Sequence, residues 1–197
     1  MPSDDLLERW LASALGTPGI TALSDLDVAR SCLLDDALRA LSFVRSTRGP
    51  VIDVGSGTGS PGLPLAVALP ERTVTLLDSE RRKCDFLRDF AGELENVEVV
   101  WGRAEEQERE SYGVALAKAL ARPPVAAELT LPLVREAGIA VLWCGESVNR
   151  AAVGRAANRL AAELEADEQG LLVLRKTGPT PPVFPRKPGL AKKRPLA

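Results

Sequence analysis

The sequence predicts an α/β fold, a mainly parallel sheet covered by helices on both faces in the Rossmann-like, three-layer arrangement. Three observations predict it. Short apolar runs recur near residues 50–54, 73–77, 97–101, 113–117, 139–143 and 171–175, with helix-period segments between most of them. The first run passes through Asp53 into alternating glycines, Gly55, Gly57 and Gly59, a loop whose backbone can approach a bound nucleotide closely. The second run ends in Asp78, a second acid at a strand tip.

The elements follow in order. Residues 4–15 form a helix with Leu7, Trp10, Leu11 and Leu15 on one face, and a second helix covers about 25–43. Strand 50–54 leads to a helix starting between Pro61 and Pro64, because proline is tolerated only in a first turn. Strand 73–77 leads to a helix from Ser79 to about Leu94, capped by Ser79 and packing Phe86, Leu87 and Phe90. Strands 97–101 and 113–117 follow, then a helix from Pro123 or Pro124 to about Glu136 and strand 139–143. A long helix over about 147–166 precedes one last strand, Leu171 to Arg175. The division expected is an N-terminal helical segment (1–45), a nucleotide-binding domain (46–176) and a Pro/Gly/Lys-rich tail (177–197).

Composition narrows the chemistry. At 197 residues this is one domain with small appendages. The absence of histidine argues against a zinc site and against imidazole acid–base catalysis, so no metal is expected. Cys32, Cys84 and Cys144 are odd in number and scattered. No apolar run approaches the ~20 residues of a membrane span. A monomer in a reducing cytoplasm, away from membranes, is the simplest expectation. Charge is uneven: after Gln169 there are seven basic residues and no acid, which leaves 18 basic against 27 acidic before it, a charge of −9. A basic tail on an acidic body suits a polyanionic partner met at one place, or simply a solvated tail.

Residues 57–62, Gly-Thr-Gly-Ser-Pro-Gly, also satisfy the dinucleotide fingerprint, with Asp78 where a ribose-binding acid would lie. A nicotinamide enzyme is therefore a rival reading, against which Asp53 argues on charge, since a pyrophosphate would be repelled by a carboxylate at the end of the preceding strand. S-adenosyl-L-methionine, with its sulfonium and ammonium, is attracted by it.

The run from Asp53 to Ala66, then Leu76-Leu-Asp-Ser79 with Lys83 and Phe86-Leu87, then Gly102-Arg-Ala-Glu-Glu106, resembles the bacterial 16S ribosomal RNA guanine-N7 methyltransferases. The tail Phe184-Pro-Arg-Lys-Pro-Gly-Leu-Ala-Lys-Lys-Arg-Pro-Leu196 is similar to that family's C-terminal signature, and the likeness runs from about residue 20 to the end. The resemblance implies a class I methyltransferase fold, S-adenosyl-L-methionine as methyl donor, and 16S ribosomal RNA in the small ribosomal subunit as partner. It matches Gly55 and Ser60 to donor-contacting loop residues, and Ala104 and Glu105 to the pair beside the adenine. Lys118 stands where the family has arginine, near donor and acceptor, and is the expected catalytic residue. Cys144 replaces a lysine, and Cys32 sits where a histidine is common.

Together with the residue reading, the expected donor set is Asp53, Gly55, Gly57, Gly59, Ser60, Asp78, Ala104, Glu105 and Lys118. Arg186, Lys187, Lys192, Lys193 and Arg194 are the expected RNA contacts, with Arg186 alternatively folding back toward the active site because Pro185 and Pro188 stiffen that stretch. Guanine N7 has an exposed lone pair and no proton to lose, so methylating it requires placement rather than a strong base. Two alternatives keep parts of this picture: the same donor site serving another RNA or a small molecule, and a non-catalytic ribosome-associated protein with a degenerate site.

Overall fold

The computed structural model describes residues 2–145 and 147–197, with side chains from Asp5 onward. Among them, seven strands make one sheet: β1 (Val51–Val54), β2 (Val74–Asp78), β3 (Val97–Trp101), β4 (Tyr112–Lys118), β5 (Val134–Trp143), β6 (Ala162–Glu168) and β7 (Leu171–Lys176). Their order is β3-β2-β1-β4-β5-β7-β6. The first five are parallel, and β7 runs antiparallel between β5 and β6. From β1 the chain steps outward to β3, then crosses back to β4 on the other side of β1. That reversal opens a crevice at the carboxyl ends of β1 and β4, where ligands of such sheets bind.

The period of two along β1 sorts its residues between two cores. Val51 joins a cluster with Trp10, Leu11, Leu63, Leu65 and Leu87, formed under α1 (Pro2–Gly16), α5 (Gly62–Ala68) and α6 (Arg81–Ala91). Ile52 and Val54 join the opposite cluster with Val125, Leu131, Val153, Leu160, Phe184 and Ala191. That cluster lies under α7 (Pro123–Thr130), α8 (Arg150–Asn158) and the C-terminal segment ending in α9 (Leu190–Lys193). Asp53 therefore falls on the α5 face, buried to 1% exposure.

Several elements differ from the sequence expectation. The long helix over 147–166 is instead α8, capped by the Asn149 side chain, followed by the strand β6. Residues 162–168 are good helix formers. Yet Ala162, Leu164 and Ala166 turn inward while Glu163, Glu165 and Asp167 stay exposed, and pairing with β7 overrides propensity. Two strands thus follow α8, not one. The helix expected to run to Glu136 stops at Thr130, because Pro132 lies in a tight turn before β5 begins at Val134. Ser79 does not cap α6; the Glu80 amide is held by Asp78 Oδ1 at 2.8 Å.

The single helix expected over 25–43 is broken into α2 (Leu26–Ala29), a π-helical turn (Arg30–Asp35), α3 (Asp36–Leu38) and α4 (Leu41–Ser46). The cause is visible. Lys118 Nζ, at the end of β4, takes the Cys32 carbonyl, and the Asp36 amide bonds Ser31 instead. Trp143 Nε1, at the end of β5, takes the Asp36 carbonyl at 3.0 Å. Two strand-end side chains have captured helix acceptors, the usual origin of such a bulge. Cys32 is exposed and Cys84 is buried, so only the latter is a core residue. Trp101, at the end of β3, is 56% exposed, whereas Phe184, in the C-terminal segment, is buried.

Candidate active site

The loop after β1 is built by its own backbone demands. Gly55 has φ +74°, and a Cβ there would lie 2.6 Å from the Leu120 side chain, so any other residue would strain the backbone and push Leu120 aside. The loop is then pinned from both flanks. Asp78 Oδ2, at the tip of β2, accepts from the Gly57 amide at 2.8 Å. Asp53 Oδ2 accepts from the Gly62 amide, opening α5, at 2.9 Å. Trp10 Nε1 donates to the Thr58 carbonyl at 2.6 Å, which ties the loop to α1.

A cleft opens beside this loop, lined by Gly55, Asp78, Gly102, Arg103, Ala104 and Glu105 on one side. Leu120, Leu129, Gly189, Ala191 and Lys192 line the other. Four of the residues expected at the donor, Gly55, Asp78, Ala104 and Glu105, thus meet at one cleft. Gly57, Gly59, Ser60 and Asp53 lie off its wall. Gly59 packs beneath Leu87, Leu63 and Trp10. The cleft is half open to solvent and its enclosed part measures about 70 Å³, with Leu120 and the C-terminal segment at its border.

Asp53 is the electrostatic centre. Burial pushes its carboxyl up to about 7, opposed by the Gly62 amide bond; Asp78 raises it further and Lys118 lowers it. Its Oδ1 has no hydrogen-bond partner within the protein. A buried acid with one unsatisfied oxygen, sitting under a glycine loop, suits a cationic ligand group better than an anionic one.

Lys118 is placed differently from the sequence expectation. It lies outside the cleft, in a neighbouring recess with Asp36, Arg39, Trp143 and Cys144. Its ammonium pairs with Asp36 at 2.7 Å. Burial works against that carboxylate, but the bonds from Lys118 and Arg39 outweigh it and hold Asp36 below its usual range. Cys144, in the same recess, is pushed up to about 11, mainly by burial and then by Asp167. Its thiol is protonated at neutral pH and is a poor nucleophile.

The tail is folded onto the body as far as Ala191. Arg186 grips the buried Glu128 of α7 with two bonds of 2.5 Å. The Gly189 amide donates to Glu105 Oε1 at 2.9 Å, which sets the tail against the cleft. Arg186 is thereby engaged with the body of the protein, as in the fold-back alternative. Lys187, Lys192, Lys193 and Arg194 are exposed. Sequence reasoning missed Leu120, Leu129 and Glu128. The sole signal was that Glu128 is the one charged residue in the run 125–134.

The switch-point crevice, the glycine loop held between two strand-end acids, and the reversed β7 define a class I S-adenosylmethionine-dependent methyltransferase. The fold agrees with magnesium protoporphyrin IX methyltransferase from Synechocystis PCC 6803, solved with bound S-adenosylhomocysteine. The two superpose with a TM-score of 0.62 at 11% identity, over 84% of this chain and 93% of that one. The chain belongs to the rRNA small subunit methyltransferase G family (GidB), whose match spans residues 19–168. It is 38% identical to the Ribosomal RNA small subunit methyltransferase G of Thermotoga neapolitana, over 95% of this chain and 89% of the relative. It is 40% identical to the enzyme of that name from Rubrobacter xylanophilus, over 94% of this chain and 77% of the relative.

Proposed function

We propose that the protein transfers a methyl group from S-adenosyl-L-methionine to N7 of a guanine in 16S ribosomal RNA, as a cytoplasmic monomer. Family membership across most of the chain carries this reading, joined to a donor cleft whose acids suit a cation. The donor, when bound, supplies an electrophilic methyl on a positively charged sulfur. Asp78, at the ribose side, would exchange part of its bond to the Gly57 amide for donor hydroxyls. Ala104 and Glu105 would flank the adenine. Asp53, ionised, would attract the cationic end through the loop it supports. The division of the chain follows the same logic, with residues 46–176 carrying the donor, 1–45 supplying the Asp36 side of the Lys118 recess, and 177–197 closing the cleft.

No group in the site needs to remove a proton from the acceptor. Guanine N7 presents its lone pair directly, so the protein's task is to exclude water and align that lone pair with the methyl. Lys118 would stabilise and orient the acceptor's electron-rich edge from the neighbouring recess. A covalent route through cysteine is disfavoured by the protonated Cys144 thiol. Lys187, Lys192, Lys193 and Arg194 would neutralise phosphates of the bound RNA.

The test is transfer of labelled methyl to small ribosomal subunits lacking the modification, followed by nucleoside digestion. Label in N7-methylguanine is expected. Donor binding without label in RNA would move the activity to a different acceptor, and no donor binding would reject the enzyme.

A further inference from the structure

Trp101 is the one aromatic side chain among the large hydrophobic residues exposed in the described structure; the others are Leu26, Val28 and Val183. It is exposed but not loose. Its Nε1 donates to the Ser79 carbonyl at 3.1 Å, and the Arg81 guanidinium carbon stands 5.5 Å from the ring centroid. The ring is thus set in place beforehand and loses little freedom on gaining a partner. It sits at the carboxyl end of β3, the edge strand of the sheet.

Its neighbourhood gives it a purpose. The ring lines a recess of about 320 Å³ with Ser79, Gly102, Arg103 and Glu106. Three of these, Ser79, Gly102 and Arg103, also line the donor cleft. On the far wall of that cleft stands Lys192, which begins the exposed basic run Lys192, Lys193, Arg194. A basic track therefore runs from the tail, across the cleft mouth by Arg103, to Arg81 and the indole. Glu106 is the acid in this recess, and Asp85 lies 3.9 Å from Arg81. The arrangement combines a flat, half-open π surface with flanking cations along a line that passes the donor site.

We infer that Trp101 is a stacking platform for an unpaired base of the RNA substrate, with Arg103 and Arg81 receiving the adjoining phosphates. This rests on the RNA methyltransferase reading above and extends it by naming where the strand beside the target guanine is held. Stacking on an aromatic face is tolerant of base identity, so the platform contributes affinity and register rather than sequence choice.

The experiment compares Trp101→Ala and Trp101→Phe with the wild-type protein. RNA affinity is measured on unmodified small ribosomal subunits, and donor affinity separately by calorimetry. Trp101→Ala is expected to weaken RNA binding roughly 5- to 150-fold, the range for losing one stacked base. Trp101→Phe is expected to recover most of it, with donor affinity within twofold of wild type in both. Unchanged RNA affinity in Trp101→Ala overturns the platform. So does a loss confined to donor affinity, which would make the indole part of the adenosine site. Wild-type protein that binds donor but no RNA fails the underlying reading, and the platform with it.

Discussion

Replacing Asp53 with asparagine, and titrating the wild-type protein beside it, tests the electrostatic logic of the donor site. Burial raises the Asp53 carboxyl to about 7, so the carboxylate is half-formed at neutral pH. The sign follows from that. The folded protein holds this proton more tightly than the unfolded chain, so the carboxylate's cost to stability grows as pH rises from the ordinary ~3.9 toward the folded value. A cationic donor requires the ionised form and therefore binds more weakly as pH falls. Half of the sites are ionised at pH 7 and about one in a hundred at pH 5, which corresponds to a loss of roughly 50-fold in affinity over that interval. The donor's own amino group, with an ordinary value near ~8, stays largely protonated throughout and adds little. Calorimetry at pH 7, 6 and 5 reads the slope. At pH 6 binding releases nearly one proton, so the apparent enthalpy varies with the buffer's ionisation heat. Asp53→Asn is expected to bind at least tenfold more weakly at pH 7 and to show no slope. A flat wild-type profile, or the same slope in the asparagine variant, would refute this account of Asp53.

Three further outcomes are expected. Arg186→Ala leaves Glu128, whose side chain is 2% exposed, buried without its partner; the cost is about 3–5 kcal/mol by urea denaturation, or a detached tail seen as faster tryptic cleavage at Lys192 and Lys193. The double variant Glu128→Gln/Arg186→Met should restore much of that stability. Lys193→Ala with Arg194→Ala should lower the slope of log affinity against log salt for RNA by about 1.4, at ~0.7 per phosphate contact, while donor affinity holds. Lys118→Ala should cut the turnover rate at least tenfold with donor affinity nearly intact, whereas Lys118→Arg, which can still pair with Asp36, should keep most activity; equal losses in both would assign Lys118 a purely local geometric role.

Much of the fold was legible because local signals and global packing agree there. Val51 to Val54 is buried on both faces, so its apolar run could only be a central strand, and the glycines after it mark where the backbone must turn. The carboxylates Asp53 and Asp78 were readable as strand-end acids for the same reason. What was not legible depends on partners distant in sequence. Residues 162–168 have helical propensity and become a strand only because β7 offers its edge. The helix over 25–43 breaks because Lys118 and Trp143, more than eighty residues away, take its carbonyls. Trp101 reads as core by its place in a strand, yet β3 is the sheet's edge, a property of topology and not of local sequence.

The tail shows how these two kinds of information meet in function. Its charge suggested a polyanion, and its exposed end keeps that character at Lys192, Lys193 and Arg194. Its first half, however, is part of the protein's interior: Phe184 is buried, and Arg186 satisfies Glu128. Between the halves, Gly189 bonds the Glu105 carboxylate that stands beside the donor cleft. This strap and Leu120 both border the cleft. If the strap is the part that moves, the basic run carried on its end moves with it. Two ligands that bias one movable wall are then coupled, each altering the other's affinity by the same factor. A donor site walled by the segment that carries the basic run would make donor and RNA affinities interdependent.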